Sequence, residues 1–179
     1  MKNLILAHSG FGKTTSMGQI PELRIKGLDP KTTFVISTRA RGLPFKGGHK
    51  NYKVINKPDE EGNRMITNNP LMIARILKYL SNPKSHITDV VIDDFNFTMQ
   101  DYYMKNGLSG GFDAFKTIGK EQYAIYEVLN SHFEGPEKNL WVMAHPEVTS
   151  EGMREKWIMK TVGKMTRDAI TPEGNFDQI

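Results

Sequence analysis

Short apolar runs, separated by polar and glycine-rich stretches, dominate the hydrophobic pattern of this chain. We interpret four of them as strands: residues 4–7, 33–37, 88–95 and 139–145. The third run contains three consecutive β-branched residues, which is typical of a central strand. Between the second and third runs, Ile73, Ile76, Leu77 and Leu80 repeat at helical spacing after Asn69-Pro70, so an amphipathic helix is predicted there.

Weaker patterns complete the predicted elements. A first helix is expected over residues 15–20, limited by Pro21, and a longer helix from residue 113 to about residue 132. Residues 97–119 leave two alternatives open, a mobile loop that faces a substrate or an ordinary connection between helices. The remaining expectations are a short strand at 52–55, a turn at 134–137, a hairpin loop at Glu151-Gly152, a strand over 156–162 and the start of another strand at 173–179.

The turn after the first run carries the strongest chemical signal. Residues 8–14 read His-Ser-Gly-Phe-Gly-Lys-Thr between a strand and a segment predicted to be helical, which is the context of a P-loop. Its two glycines let backbone N–H groups point at a phosphate, Lys13 would reach the β- and γ-phosphates, and the Thr14 hydroxyl would complete a Mg²⁺ shell. Ala7 stands where the usual first glycine lies, and the alternative is a glycine-rich turn that binds nothing. The predicted phosphate-binding residues are Ser9, Gly10, Phe11, Gly12, Lys13, Thr14 and Thr15.

Two aspartates end the run 88–95. An acidic residue at the tip of a strand beside a P-loop orders Mg²⁺, and Asp93 fits that role. Asp94 could orient or deprotonate the attacking water. Capping of the following helix explains Asp94 equally well.

A polar residue also ends the run 139–145. His145 at this strand tip is a candidate for sensing the γ-phosphate, with Glu147 two positions further on. The alternative is a histidine with a purely structural role.

A basic segment covers residues 39–57, where arginines, lysines and His49 alternate with Phe45 and Tyr52. Such a segment could hold a phosphate backbone and stack bases, which makes single-stranded DNA a candidate partner. The alternative is a solvated surface excursion.

Composition narrows the class of protein. The 179 residues include no cysteine and carry a formal net charge of +4. Disulfides, thiolate metal sites and cysteine nucleophiles are therefore excluded, and the composition fits a reducing cytoplasm. No apolar run approaches the roughly 18 residues of a membrane span, and residues 4–7 are too few for a signal peptide. We expect one cytoplasmic domain over residues 1–179 with no membrane partner, and the tail leaves open a continuation past Ile179.

Together these motifs resemble the small AAA-family ATPases of bacteriophages, which are RecA-like and some of which act in single-strand annealing or recombination. The residues that carry the resemblance are 10–15, 91–95, the strand that ends in His145-Pro-Glu147, 160–164 followed by Glu173-Gly174, and the stretch 42–47. The similarity covers nearly the whole chain.

The resemblance implies an α/β fold, namely a three-layer P-loop NTPase with a RecA-like core, a mainly parallel central sheet and a C-terminal β-hairpin. It also implies that ATP and Mg²⁺ are bound and that the chain assembles into a ring or filament. In RecA-like assemblies lysines of an adjacent subunit approach the γ-phosphate, and Lys160 and Lys164 could be that pair. RecA proteins have a glutamate near the end of the second strand, where this chain has Ser37-Thr38-Arg39. Either Asp94 or Glu147 would substitute for it, or hydrolysis is slow.

The leading hypothesis is an ATPase that couples ATP hydrolysis to assembly on single-stranded DNA in phage recombination or replication. A second hypothesis is a nucleotide-switched binding module or loader with negligible turnover. A small-molecule kinase is a third, but no lid with clustered arginines is visible in the sequence.

Overall fold

The computed structural model describes residues 1–57, 60–133, 137–152 and 154–179. Within these residues five strands form a central sheet: β1 Lys2–Leu6, β2 Thr33–Ser37, β3 Arg64–Ile66, β4 Asp89–Asp93 and β5 Asn139–Ala144. Their spatial order is β1-β5-β4-β2-β3 and every pairing is parallel. The four predicted strands and the α/β class are confirmed, and β4 is central as predicted, whereas β3 was not predicted.

The strand order corrects one expectation. β4, which carries Asp93, was expected beside β1, but β5 lies between them. The glycine-bearing loop after β1 is long enough to compensate, because one strand spacing is only about 4.8 Å.

Helices cover one face of the sheet. The single turn α1 Gly48–Asn51 precedes α2 Pro70–Leu80 and α3 Phe97–His132. The start of α2 is as predicted, because the Asn69 side chain accepts a hydrogen bond from the N–H of Met72 at 3.0 Å. The mobile-loop alternative for residues 97–119 is wrong, since this stretch lies in α3, where Gly111 with φ 50° and ψ −134° interrupts the helical backbone.

Side chains that alternate along the strands pack on opposite faces of the sheet. Val90 and Ile92 of β4 join a core with α2 and α3, whereas Val91 packs on the other face with Met17 and Tyr52. The second face is covered by the segments on either side of β2, residues 17–28 and 43–52, which contain only short turns in place of long helices. This arrangement is compatible with a three-layer α/β fold.

A β-hairpin follows the sheet directly. β6 Pro146–Glu151 pairs antiparallel with β7 Arg154–Met159, so the predicted hairpin is confirmed, although its second strand begins and ends earlier than expected. Shorter turns occur at Thr15–Met17, Pro21–Leu23, Met165–Ile170 and Pro172–Asn175.

Three expected elements are wrong. Residues 15–20 form only the 3-10 turn Thr15–Met17, residues 52–55 form no strand beyond an isolated bridge at Val54, and the tail contributes only a single bridge between Asn3 and Gln178. The turn expected at 134–137 falls largely on residues outside the described part of the chain. Among the residues that are described, no helix combines the length and apolar character needed to cross a membrane.

Candidate nucleotide-phosphate site

Residues 8–14, named the glycine loop here, lie at the carboxyl end of β1. Gly10 and Gly12 have φ of +84° and +83°, a conformation that favours glycine. A Cβ at either position would meet nothing within 4 Å, so conformation and not crowding requires glycine. Ala7 is not among the residues with positive φ, and its N–H donates to the carbonyl of Ala144 at 3.3 Å. An alanine therefore fits there without backbone strain.

Lys13 closes over the glycine loop. Its ammonium donates to the carbonyl oxygens of Ala7 at 2.5 Å and His8 at 3.0 Å, and only 8% of the residue is exposed. Burial lowers the pKa of Lys13, Asp93 raises it, and Arg41 lowers it further. The structure thus places this cation beside the strand tip that carries the acidic residues.

Thr14 and Asp93 meet although 79 residues separate them in sequence. The Thr14 hydroxyl donates to Asp93 Oδ1 at 2.8 Å. Burial raises the pKa of Asp93, and the bond from Thr14 together with Arg41, Arg64 and Lys13 acts in the opposite direction. A hydroxyl and a carboxylate oxygen at this distance form the kind of hard-oxygen pair that Mg²⁺ uses in proteins.

Asp94 has a conformation unusual for a residue other than glycine. Its φ is +62°, which costs about 1–2 kcal/mol for an L-residue. The Thr38 hydroxyl lies 2.7 Å from the Asp94 carbonyl and 3.1 Å from that of Asp93, so it stabilises the turn. The Asp94 carboxylate forms an ion pair with Arg41 and lies 3.5 Å from Nε2 of His145. The capping alternative is wrong, because the N-cap residue of α3 is Asn96 and the Asp94 side chain has other partners.

Asn96 is a fully buried residue that joins β5, β7 and α3. Its Oδ1 accepts from the N–H of His145 at 2.6 Å, and its Nδ2 donates to the carbonyl of Lys160 at 2.5 Å. The N–H of Lys160 in turn donates to the His145 carbonyl at 2.9 Å. This network fixes the backbone of His145 and Lys160, and sequence reasoning missed Asn96 although it directly follows Asp93-Asp94-Phe95.

His145 follows the last residue of β5, and its Nε2 lies 3.5 Å from the Asp94 carboxylate. Burial lowers its pKa, and the cations Lys13, Arg41 and Lys160, together with His8, lower it further. The negative charge of Asp94 is already compensated by its ion pair with Arg41. A neutral imidazole at neutral pH follows from this environment.

Arg41 was not predicted to belong to the nucleotide site, but the structure places it there. The sequence assigned it to the basic DNA-binding segment, but its guanidinium pairs with Asp94. Arg64, which is buried, donates from Nε to the Ser37 hydroxyl at 2.9 Å and from Nη2 to the Arg41 carbonyl at 2.5 Å. The position of Arg41 in the sequence is a weak indication of this role, because Arg41 follows the carboxyl end of β2, and β2 pairs with β4.

The other predicted site residues differ in their positions. Lys160 is exposed beside His145 of its own chain. Glu147 is half-buried on β6, opposite Ile158, and Lys164 is exposed at the start of the turn Met165–Ile170. Within the described part of the chain, no hydrogen bond or ion pair joins the side chains of Glu147 or Lys164 to the glycine loop or to Asp93.

The aromatic residues of the basic segment do not form a stacking surface. Tyr52 is 2% exposed, and half-buried Phe45 packs edge-on against it with ring centroids 6.0 Å apart. The lysines at 46, 50, 53 and 57 are exposed. Tyr52 is therefore too buried to stack on a DNA base, whereas half-buried Phe45 keeps part of its ring accessible, and the exposed positive charge of the segment is present.

A groove of about 890 Å³ is lined in part by Thr15, the residue that follows the glycine loop in sequence. Phe45 and Tyr52 line one part of it, and the polar residues Gln19 and Asn51 also border it. The groove is large enough for a small organic group.

The hairpin also reaches the glycine loop. His8 contacts Trp157 of β7 edge-on with ring centroids 5.3 Å apart, and it contacts Phe11 at 6.0 Å. Phe11 is 74% exposed and Trp157 is 47% exposed. An exposed aromatic surface therefore adjoins the loop.

Two comparisons with known proteins give no assignment: neither a protein-family model nor a curated protein sequence matches this chain. Among the described residues, no three His, Cys, Asp or Glu side chains group closely enough to hold a metal ion alone. A cation at Thr14 and Asp93 would need further ligands such as water or phosphate oxygens.

Proposed function

We propose that this chain is a Mg²⁺-dependent ATPase with a RecA-like P-loop core, of the kind that phages encode, and that it acts on single-stranded DNA in recombination or replication. The hydrogen bond of 2.8 Å between Thr14 and Asp93 supports the nucleotide site most strongly. It brings a hydroxyl and a carboxylate together beside the lysine of a loop whose two glycines have positive φ.

The residues of the site fit Mg²⁺ and ATP. Lys13 would bind the β- and γ-phosphates, while Thr14 and Asp93 would hold the metal. When bound, Mg²⁺ supplies positive charge to the phosphate oxygens, which stabilises the charge of phosphoryl transfer. The nucleoside would occupy the groove that Thr15 lines, because Thr15 directly follows the glycine loop.

Asp94 is the better candidate for activating water. It lies beside His145, whereas Glu147 is on the hairpin. Among the described residues, no hydrogen bond or ion pair joins the Glu147 side chain to Thr14 or Asp93. In the proposed reaction the Asp94 carboxylate accepts a proton from the attacking water. Neutral His145 would form a hydrogen bond to the γ-phosphate.

One observation favours a nucleotide-switched module as a second candidate. The Asp94 carboxylate is paired with Arg41, so the best-placed proton acceptor is already engaged. A protein in which this pair persists would bind ATP with negligible turnover.

The partners belong to the proposal as well. Exposed lysines of the segment 39–57 would hold the DNA backbone, and the exposed Phe11 and Trp157 beside the glycine loop would be buried in a ring or filament.

The test uses purified protein with Mg²⁺ and ATP, with binding measured by calorimetry and turnover by phosphate release. Lys13→Ala should weaken ATP binding about 10- to 100-fold, because a charged hydrogen bond contributes about 1.5–3 kcal/mol. Lys78→Ala, which removes an exposed lysine of α2, is the matched control and should bind as wild type does. Equal ATP affinity in wild type and Lys13→Ala would refute the nucleotide site, and tight binding without phosphate release would favour the switch.

A further inference from the structure

Arg41 is held at the site by its backbone. Its carbonyl accepts from Arg64, and Arg64 is itself buried and bound to the Ser37 hydroxyl of β2. The Arg41 side chain is 56% exposed, so its guanidinium extends from a fixed base into an accessible part of the site. A guanidinium in this setting can exchange one partner for another without moving the backbone.

The charge of Arg41 reaches the groups around the glycine loop. Burial raises the pKa of Asp93, and Arg41 acts against that rise together with the Thr14 hydrogen bond. Burial lowers the pKa values of Lys13 and His145, and Arg41 lowers both further. Arg41 therefore lies within electrostatic reach of the groups that would surround the terminal phosphate.

Arg41 currently binds an anion that a phosphate can replace. Its guanidinium pairs with the carboxylate of Asp94, and guanidinium groups bind carboxylates and phosphates with the same two-pronged geometry. Asp94 is also held with φ of +62°, so the pair depends on a turn with unusual backbone geometry.

We propose that Arg41 recognises the γ-phosphate and leaves Asp94 when it does so, which makes the site selective for nucleoside triphosphates over diphosphates and frees the carboxylate only when a γ-phosphate is bound. This inference rests on the proposed nucleotide site. It assigns to Arg41 a role different from the DNA contact expected from its place in the basic segment.

The two members of the ion pair should then have opposite effects on affinity. Arg41→Ala removes the γ-phosphate contact, so the affinity for a non-hydrolysable ATP analogue should fall about tenfold or more, with ADP affinity unchanged within about twofold. Asp94→Asn removes the competing anion, so affinity for the analogue should stay equal or rise. Asparagine tolerates a positive φ, so this variant preserves the turn.

The experiment measures the dissociation constants of the ATP analogue and of ADP, both with Mg²⁺, by calorimetry. Arg75→Ala, an exposed arginine of α2, is the matched control, and Arg41→Lys should recover only part of the selectivity because an ammonium binds through a single point charge. Circular dichroism of each variant establishes that it folds.

Three outcomes would overturn the inference. Equal losses for the analogue and ADP in Arg41→Ala would show general electrostatic attraction, and parallel losses in Arg41→Ala and Asp94→Asn would show a structural ion pair. Wild-type protein that binds neither nucleotide would overturn the proposed function itself, and this inference with it.

Discussion

At the scale of single residues, the site is a pair of buried aspartates surrounded by cations. Asp93 and Asp94 are 8% and 6% exposed, and the positive charges of Lys13 and Arg41 lie close to them. Carboxylates buried this deeply need such compensation, because desolvation otherwise favours their neutral form. Burial lowers the pKa of the neighbouring imidazole of His145, and the same cations lower it further.

His145 should make the free energy of unfolding depend on pH. Its pKa in the folded protein is below the ordinary 6.5, so below pH 6.5 the unfolded chain binds a proton that the folded site resists. The contribution is present in full above pH 6.5 and is lost as the pH falls toward the folded-state pKa. We expect wild type to lose more stability than His145→Gln between pH 7.5 and pH 5.5 in urea unfolding.

The exposed histidine His86, changed to Gln, is the matched control for this measurement. A wild-type protein that gains stability relative to His145→Gln as the pH falls would show that Asp94 attracts a proton to the imidazole, and would contradict the expected sign.

Sequence reasoning identified the residues whose chemistry is local. Lys13 and Thr14 follow the glycines of the loop, and Asp93 ends an apolar run, so each carries its own signal. Arg41 and Asn96 carry only the weak signal of lying just after a strand, because their roles come from contacts between distant elements, such as the bond from Asn96 to the carbonyl of Lys160. The pairing of Asp94 with Arg41 was invisible in the sequence.

At the scale of elements, the strands were more predictable than the helix after the glycine loop. Buried parallel strands have nearly continuous apolar sequences, which can be recognised directly. The helix over residues 15–20 was predicted only from its position after the glycine loop. Gly18 explains the failure in part, since a Cβ there would lie 2.5 Å from the Phe45 ring. The backbone of Gly18 is extended, with φ −80° and ψ 157°, so the helical turn ends there.

The groove gives a prediction that separates the nucleoside from the phosphates. Phe45→Ala should weaken ATP binding about tenfold, because one stacking contact with a base is worth about 1–3 kcal/mol. Binding of inorganic triphosphate should stay unchanged, since the glycine loop is untouched. Calorimetry with both ligands and Mg²⁺ measures the two effects.

Tyr79→Ala, which removes an aromatic side chain 69% exposed on α2, is the control for general loss of a surface ring. If Phe45→Ala weakened the binding of ATP and of inorganic triphosphate equally, the phenyl ring would support the glycine loop and would not contact the base.

At the scale of the whole molecule, the exposed charge decides which face meets a polyanion. The net charge of +4 is too small to hold DNA everywhere on the surface, so a local concentration is required. A short segment provides such a concentration with four exposed lysines, namely Lys46, Lys50, Lys53 and Lys57. Tyr52 of the same segment is buried and adds no stacking on DNA bases. Binding by this face would be almost purely electrostatic.

The affinity for single-stranded DNA should fall steeply with salt, and it should depend on the lysines of this segment more than on other exposed lysines. For single strands, each neutralised phosphate contributes about 0.7 to the slope of log affinity against log salt. Replacing the four lysines with Gln should therefore lower the slope measured by fluorescence anisotropy with labelled single-stranded DNA, in the presence of the ATP analogue.

Replacing the four exposed lysines Lys78, Lys84, Lys116 and Lys120 removes the same charge elsewhere and should leave most of the slope. Equal losses in the two variants would mean that net charge alone attracts DNA, and absence of binding by wild type at low salt would remove DNA from the proposed function while leaving the nucleotide site intact.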